Sequence, residues 1–313
     1  CPVGALTDKD FRYQVRVWYL DKTDSICPGC SRGCAISVET STKRPWHNQG
    51  RRVARLKPRH DPAVNGWWMC DEGRYSHQSL DEGRLGRVLR LSPERAELSW
   101  DAALGEAAGK IKDGLKSGGA AGLAVVASGA LSNEDWAAFH ELFVKKLGVS
   151  RFLFSPESDQ IGEADELLRR ADKVPNLRGG QVHGFGTSIP SLSWADLSRD
   201  LEAGKIWGLY LVDRDASKVW GEKTAGLLAK AGLVIFQGPF KGGTGELAHF
   251  RFPATAYVEE DGAFTNFEGK LRPYRRALAP IGDALPDWRI FRSLAAFLNG
   301  NKAERRIKAA AGA

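Results

Sequence analysis

Hydrophobic and polar residues alternate in short runs along the first part of the chain. Apolar or aromatic residues occupy every second position from Phe11 to Tyr19, and shorter runs of this kind lie at 35–39 and 52–56. A repeat of two residues is typical of a strand that buries one face. We therefore predict a strand over residues 11–19 and a hairpin formed by 35–39 and 52–56.

Later in the chain the hydrophobic residues recur at helical spacing. Ser99 is a favoured N-cap residue, and the apolar positions after it predict a helix that ends at the glycines 118–119. Ser132 begins a second such pattern, which Gly148 ends, and a third helix is predicted over 217–231.

Short apolar runs separate these helices and predict buried strands. The runs are 123–127, 151–154, 206–212 and 233–237. Strands that alternate with helices at this spacing favour an α/β fold, in which Rossmann-like parallel sheet units follow a small N-terminal domain with short β-strands.

The length and the first residue limit what the chain can be. Its 313 residues are 42% hydrophobic, which suits one large domain or two unequal ones. No run of about eighteen apolar residues occurs, so we expect no direct membrane insertion. Because the chain begins at Cys1 and its single methionine is Met69, we expect it to be a piece of a longer protein.

Positive charge is concentrated in one segment, although the formal net charge of the whole chain is only +7. Residues 40–60 contain no acidic residue and seven basic ones: Lys43, Arg44, Arg51, Arg52, Arg55, Lys57 and Arg59. A nucleic-acid arm would interleave aromatic residues for base stacking, and this segment does not, so we expect no nucleic-acid partner. Three interpretations of the segment stay open: a solvated hairpin, a positive field at a neighbouring redox centre, or a docking site for an acidic surface.

Four of the five cysteines form the strongest chemical signal. Cys27, Cys30 and Cys34 share one glycine-containing loop, and Cys70 follows at a distance. Four thiolates in this arrangement suit a [4Fe–4S] cluster. Zinc also accepts four thiolates, although its sites usually pair two short knuckles, and disulfides are the third alternative.

Other motifs carry weaker signals. The glycine-rich turn at 238–245 suggests a phosphate loop, but Gly243 stands where the P-loop pattern requires lysine. His47 and His60 lie in polar loops and are expected to be solvated rather than metal ligands.

Several motifs together resemble one family. They are CPVGAL at 1–6, the cysteines of the 27–34 loop, VNGWWMCDEGR at 64–74, DKVPNLRG at 172–179, EDGAFTNFEGK at 260–270 and PDW at 286–288. In this order the chain resembles the large iron–sulfur subunit (the 75 kDa subunit) of respiratory NADH:quinone oxidoreductase, complex I. That subunit is itself similar to molybdenum/tungsten bis-pterin oxidoreductases with a 4Fe–4S domain.

The resemblance implies a set of cofactors. Cys27, Cys30, Cys34 and Cys70 would bind a [4Fe–4S] cluster. Cys1 would be the last ligand of a second [4Fe–4S] cluster whose other ligands lie upstream. Arg74, in the turn after Cys70, would neutralise cluster charge, unless it is a plain surface arginine. No molybdopterin is expected, because too little chain follows residue 85 for a full pterin-binding core.

The resemblance also implies an organisation and a role. Residues 1–16 would end an upstream ferredoxin-like domain, 17–85 would form the 4Fe–4S domain, and 86–313 a truncated molybdopterin-oxidoreductase-like α/β domain. The chain would pass electrons from NADH and flavin toward quinone within a complex, with no bond-making site of its own. Its partners would be the flavin/NADH-binding subunit and the quinone-side iron–sulfur subunits, at the cytoplasmic face of the bacterial inner membrane. A formate dehydrogenase-like catalytic fragment and a zinc-stabilised interaction module are the alternatives.

Overall fold

A computed structural model describes residues 3–44 and 46–300. The first domain within these ranges is built on a three-stranded antiparallel sheet of β1 (Asp21–Ile26), β2 (Ala35–Thr40) and β3 (Val53–Pro58). Ile36 and Val38 of β2 pack with Val53 and Leu56 of β3 on its buried face. The predicted hairpin is confirmed as β2 and β3, and a short helix, α1 (Asp71–Tyr75), follows.

The strand predicted over residues 11–19 is wrong. This stretch forms turns and a single 3-10 turn at Val17–Tyr19. Tyr13 has a φ of 64°, which takes the backbone out of the extended region, and its side chain is 87% exposed. Only Val15 is buried, against Leu20 and Ala54, so the alternation does not correspond to one buried face.

The remaining elements form a larger α/β domain and a hairpin. The strands are β4 (Leu89–Arg90), β5 (Ala96–Glu97), β6 (Leu123–Ala127), β7 (Arg151–Leu153), β8 (Gly208–Val212), β9 (Leu233–Gly238), β10 (Phe250–Pro253), β11 (Gly262–Thr265) and β12 (Leu271–Tyr274). The helices are α2 (Trp100–Gly118), α3 (Asn133–Phe139), α4 (Leu177–Val182), α5 (Trp194–Glu202), α6 (Ser217–Trp220), α7 (Thr224–Leu228), α8 (Gly242–Leu247) and α9 (Asp287–Asn299).

The large sheet has the topology of a doubly wound fold. In the described ranges its strand order is β5-β4-β10-β9-β8-β6-β7, and the five strands from β10 to β7 are parallel. Taken in chain order, these five follow the flavodoxin-like arrangement 2-1-3-4-5. The predicted α/β class with Rossmann-like units is confirmed.

The two faces of this sheet are covered by different helices. Tyr210 and Val212 of β8 pack in the core that α2, α3 and α9 cover, whereas Leu209 and Leu211 face the core covered by α5 and α7. This alternation is what a strand buried on both faces requires. The helices from Ser99 and Ser132 begin as predicted, and both serines cap through their side chains. The helix predicted over 217–231 is interrupted, because Gly221 adopts a φ of 54° between α6 and α7.

The β11–β12 hairpin packs back onto the first domain. Phe264 of β11 and Tyr274 of β12 share a small core with Ile26 and Ala35, which flank the cysteine loop. None of the helices in the described ranges has the length and apolar character needed to span a bilayer.

Candidate metal centre

The loop that carries three cysteines is the turn between β1 and β2. The N–H of Cys27 donates to the carbonyl of Cys34 over 2.9 Å, which closes the loop at the ends of the two strands. Gly33 adopts a φ of +65°, a conformation that favours glycine. Cys27, Cys30 and Cys34 are all buried.

Cys70 reaches the same place from the start of α1. It is the N-cap of this helix, and its sulfur accepts a hydrogen bond from the N–H of Gly73 over 3.4 Å. A Cβ atom on Gly73 would lie 3.0 Å from the sulfur of Cys27 and 3.5 Å from that of Cys70. The two sulfurs are therefore neighbours across Gly73, in space that a side chain would fill.

The four thiols line one recess. All four are free thiols. The other lining residues are Gly29, Gly33, Met69, Glu72, Gly73, Leu168 and Arg169. Among the described residues, no three His, Cys, Asp or Glu side chains are gathered closely enough to hold a single metal ion.

Burial opposes thiolate formation in this recess. It raises the pKa of the Cys27 thiol, against a hydrogen bond from the Gly29 backbone, and the neighbouring thiols raise it further. Burial likewise raises the pKa of Cys34 to about 12, opposed by the charges of Arg32 and Arg272. Four thiolates here, three of them buried, therefore need a cationic group between them, which is what iron or zinc supplies.

Two residues that the sequence did not suggest lie at the recess. Leu168 and Arg169 belong to residues 155–176, the connection between β7 and α4, which we call the strap. Arg169 belongs to the run Leu167-Leu168-Arg169-Arg170, which has no fixed spacing relative to the cysteines, so the sequence carries no signal for it.

Arg74 lies elsewhere. It is not among the residues that line the recess, and instead borders a neighbouring cavity with Asp8, Asp10 and Tyr75. Its Nε is 3.9 Å from Asp71. A role of Arg74 in neutralising cluster charge stays a prediction. Cys1 lies outside the described residues.

Most of the basic segment is compensated within the chain. The ion pairs join Lys43 to Asp21, Arg51 to Asp10, Arg52 to Asp81 and Glu259, Arg55 to Glu39, and Arg59 to Asp24. All of the acidic partners lie outside residues 40–60, and one of them, Glu259, belongs to the distant α/β part of the chain. This arrangement favours a structural role over a free positive field. His60 stacks on Trp67 at a centroid distance of 4.0 Å, away from the recess.

The glycine-rich turn at 238–245 binds an internal carboxylate. Asp215 accepts hydrogen bonds from the N–H groups of Gly243 and Thr244 at 3.0 and 2.9 Å. Burial raises the pKa of Asp215, but the bonds from Thr244 and Ser217 outweigh it and hold the pKa below its usual value. The amides that a phosphate would need are therefore already used.

A second cavity lies at the carboxyl ends of the parallel strands. Asp135, Asp213, Glu260 and Asp287 all line it. Burial raises the pKa of Asp213 to about 6, and burial with the charge of Asp135 raises the pKa values of Glu260 and Asp287 well above their usual range. In folds of this topology, this edge of the sheet is where ligands bind.

Comparison with protein families finds two matches. Residues 20–82 match the molybdopterin oxidoreductase Fe4S4 domain, and residues 186–297 match molybdopterin oxidoreductase. The first match contains all four cysteines of the recess.

Curated relatives are subunits of redox complexes. NADH-quinone oxidoreductase subunit 3 of Thermus thermophilus is 35% identical over 37% of this chain and 13% of its own length. The mitochondrial NADH-ubiquinone oxidoreductase 78 kDa subunit of Candida albicans is 24% identical over 96% of this chain and 55% of its own length. The chain thus spans less than two thirds of the length of these relatives.

Among solved structures, acetylene hydratase from Pelobacter acetylenicus has a similar fold. It matches 90% of this chain and 70% of its own with a TM-score of 0.59 at 12% identity. The matched families are named for molybdopterin, which carries phosphate, a group recognised by N–H donors and cations. Among the described residues, the cavity at the strand ends is lined by four acidic side chains and by no Lys, Arg or His, so this lining does not fit such a cofactor.

Proposed function

We propose, because this chain resembles the large iron–sulfur subunit of NADH:quinone oxidoreductase, that it is an electron-transfer polypeptide that holds one [4Fe–4S] cluster. The ligands are Cys27, Cys30, Cys34 and Cys70. The observation that carries the proposal is the convergence of these four thiols on one recess within the segment that matches an Fe4S4 domain. When bound, such a cluster takes up and releases an electron at a potential that its surroundings set.

The surrounding residues suit this task. The N–H of Gly73 donates to the sulfur of Cys70, and the N–H of Gly29 to that of Cys27. Hydrogen bonds to ligand sulfurs stabilise negative charge and raise the reduction potential. Met69 and Leu168 line the recess with apolar atoms, and so keep water from the iron.

The match to an Fe4S4 domain favours a cluster over zinc. Four thiolates can also hold a tetrahedral zinc ion. All four cysteines of the recess, however, lie within the matched residues 20–82.

The names of the relatives support a role within a larger assembly. In this proposal NADH is oxidised by flavin on a neighbouring subunit. The electrons then pass through this chain toward quinone-side iron–sulfur subunits. The chain performs no bond-making step, and it acts at the cytoplasmic face of the bacterial inner membrane. Cys1 would contribute to a second cluster. The domains would divide at about residues 16 and 85.

The test is the metal content of anaerobically reconstituted protein, with EPR of the dithionite-reduced sample. We expect four iron and four sulfide per chain, with an EPR signal that Cys70→Ser abolishes. Zinc without iron would overturn the proposal in favour of an interaction module. Molybdenum bound with pterin would overturn it in favour of a catalytic oxidoreductase.

A further inference from the structure

We propose that the strap forms the outer wall of the metal centre, and that Arg169 on it raises the reduction potential of the bound cluster. The inference rests on the proposed function, since it concerns the same recess. It adds a charged residue that lies far from the cysteines in sequence and that no cysteine motif includes.

The base of the strap is fixed to the α/β domain by a buried ion pair. Arg214, which follows β8, donates from Nε and from a terminal nitrogen to the two carboxylate oxygens of Asp159, at 3.0 and 2.5 Å. The side chains of Arg214 and Asp159 are 1% and 6% exposed. Trp194 also donates to Asp159 through its indole N–H. Removing one member of such a pair strands a buried charge, so this end of the strap is held firmly.

The strap then folds into a hairpin with an ordered tip. Backbone hydrogen bonds join Gly162 to Ala171 at 2.8 Å and Lys173 to Gln160 at 2.9 Å. At the tip, one carboxylate oxygen of Asp165 accepts from three successive backbone N–H groups, those of residues 167, 168 and 169. The turn therefore presents Leu168 and Arg169 in a fixed arrangement.

The tip docks on the elements that carry the cysteines. The carbonyl of Leu168 accepts from Nε of Arg32 at 3.0 Å, within the cysteine loop. Ser31 of the same loop donates to the carboxylate of Asp172 at 2.7 Å. Lys173 donates to Glu72 of α1 at 2.7 Å. The strap is thus bonded to both segments that supply thiols.

Arg169 lies where its charge acts on the recess. It lines the recess together with Leu168 and Glu72, and one of its terminal nitrogens is 3.6 Å from the carboxylate of Glu72. Another terminal nitrogen donates to the carboxylate of Glu163 over 3.3 Å, which offsets part of the charge. The Nε of Arg169 is buried, donates no hydrogen bond within the described residues and is 3.9 Å from the carboxylate of Asp165. A buried donor without an acceptor is unfavourable. Nε would thus have a donor left for a cluster bound in the recess.

The electrostatic consequence has a definite sign. Reduction adds a negative charge to the cluster, and a guanidinium at the wall of the recess stabilises that charge. Glu72, on the same wall, acts in the opposite direction. Because the Arg169 side chain is 27% exposed, solvent screens part of the effect.

The test is a redox titration of the reconstituted full chain, followed by EPR. Arg169→Gln should lower the midpoint potential, with the ratio of reduced to oxidised cluster at fixed potential falling by up to about tenfold, or about 59 mV for a one-electron couple. Arg169→Lys should recover part of this shift, because it keeps the charge. Glu72→Gln should shift the potential upward.

Arg170→Gln is the matched control. It removes the same charge from the adjacent residue, but Arg170 stacks over Phe267 at 3.9 Å and does not line the recess. Equal potentials for the Arg169→Gln and Arg170→Gln proteins would overturn the inference. A lower midpoint potential in the Glu72→Gln protein would also overturn it. This second variant keeps the test available if the Arg169→Gln protein does not hold its cluster. Failure of the wild-type chain to bind iron would instead overturn the proposed function itself.

Discussion

Gly73 shows how one residue sets the size of the metal centre. A Cβ atom there would lie 3.0 Å from the sulfur of Cys27 and 3.4 Å from the terminal methyl of Met69. We expect Gly73→Ala to displace the Cys27 sulfur and to lower the iron bound per chain after reconstitution. Iron content and the visible absorbance of the cluster measure this directly.

Gly29 provides the matched control for this substitution. It also borders the recess, but a Cβ atom there would make an ordinary 3.5 Å contact with the Cys27 sulfur. Gly29→Ala should therefore retain its iron. Equal iron loss in both variants would mean that backbone freedom, rather than the space at Gly73, is what the centre requires.

The sequence predicted the thiols of the site but not the charges around it. Cys27, Cys30 and Cys34 are close in the chain, so their spacing alone indicates a shared ligand loop. Arg169 reaches the recess only because the strap folds back across the first domain, and no local pattern encodes that contact. Arg74, expected near the cluster from its place in the turn after Cys70, borders a neighbouring cavity, and its role in neutralising cluster charge stays a prediction.

At the scale of elements, α2 is shaped by the tryptophan that packs on it. A Cβ atom on Gly114 would lie 2.2 Å from the ring of Trp207, whereas one on Gly109 would meet nothing within 4 Å. We expect Gly109→Ala to stabilise the protein by up to about 1 kcal/mol, because alanine is the better helix former. Gly114→Ala should instead destabilise it by about 1–3 kcal/mol through overpacking.

Denaturant unfolding of the two variants measures this difference. The substitutions are chemically identical and lie in one helix, so helix propensity cancels in the comparison. A Gly114→Ala protein as stable as Gly109→Ala would show that Trp207 moves aside at no cost.

Elements were predictable from sequence where local signals decide them. Helix α2 begins after Ser99, whose side chain caps it, and ends at Gly119, which has a φ of 67°. Both signals are local to the ends of the helix. The strand predicted over 11–19 failed because alternation needs a neighbouring strand to pair with, and Tyr13 turns the chain away. The spacing of apolar positions also does not predict the interruption of the helix at Gly221.

At the scale of the whole molecule, the first domain is held by two distant parts of the chain. The strap bonds to the cysteine loop and to α1, while the β11–β12 hairpin packs on Ile26 and Ala35. Asn266, at the turn of that hairpin, also donates to the carbonyl of Arg32. The α/β class was predictable from local patterns, whereas these long-range contacts were not.

This architecture predicts how loss of the metal spreads through the protein. Because ligand binding energy is also folding energy, Cys30→Ser should loosen β1–β3. The same loosening should reach the strap and the β11–β12 hairpin, since both are bonded to the first domain. Strands β6, β8 and β9 have their own cores on both faces and should keep their protection.

Hydrogen exchange of the reconstituted variant and wild type, read segment by segment, tests this pattern. Wild-type protein stripped of iron is the control and should match Cys30→Ser. Faster exchange confined to the cysteine loop would mean that the strap and the hairpin fold independently of the metal. Faster exchange throughout the central sheet would mean that both domains fold as one unit. Since β6, β8 and β9 lie in cores that the cysteines do not join, we expect the boundary of loosening to fall at the bases of the strap and the hairpin.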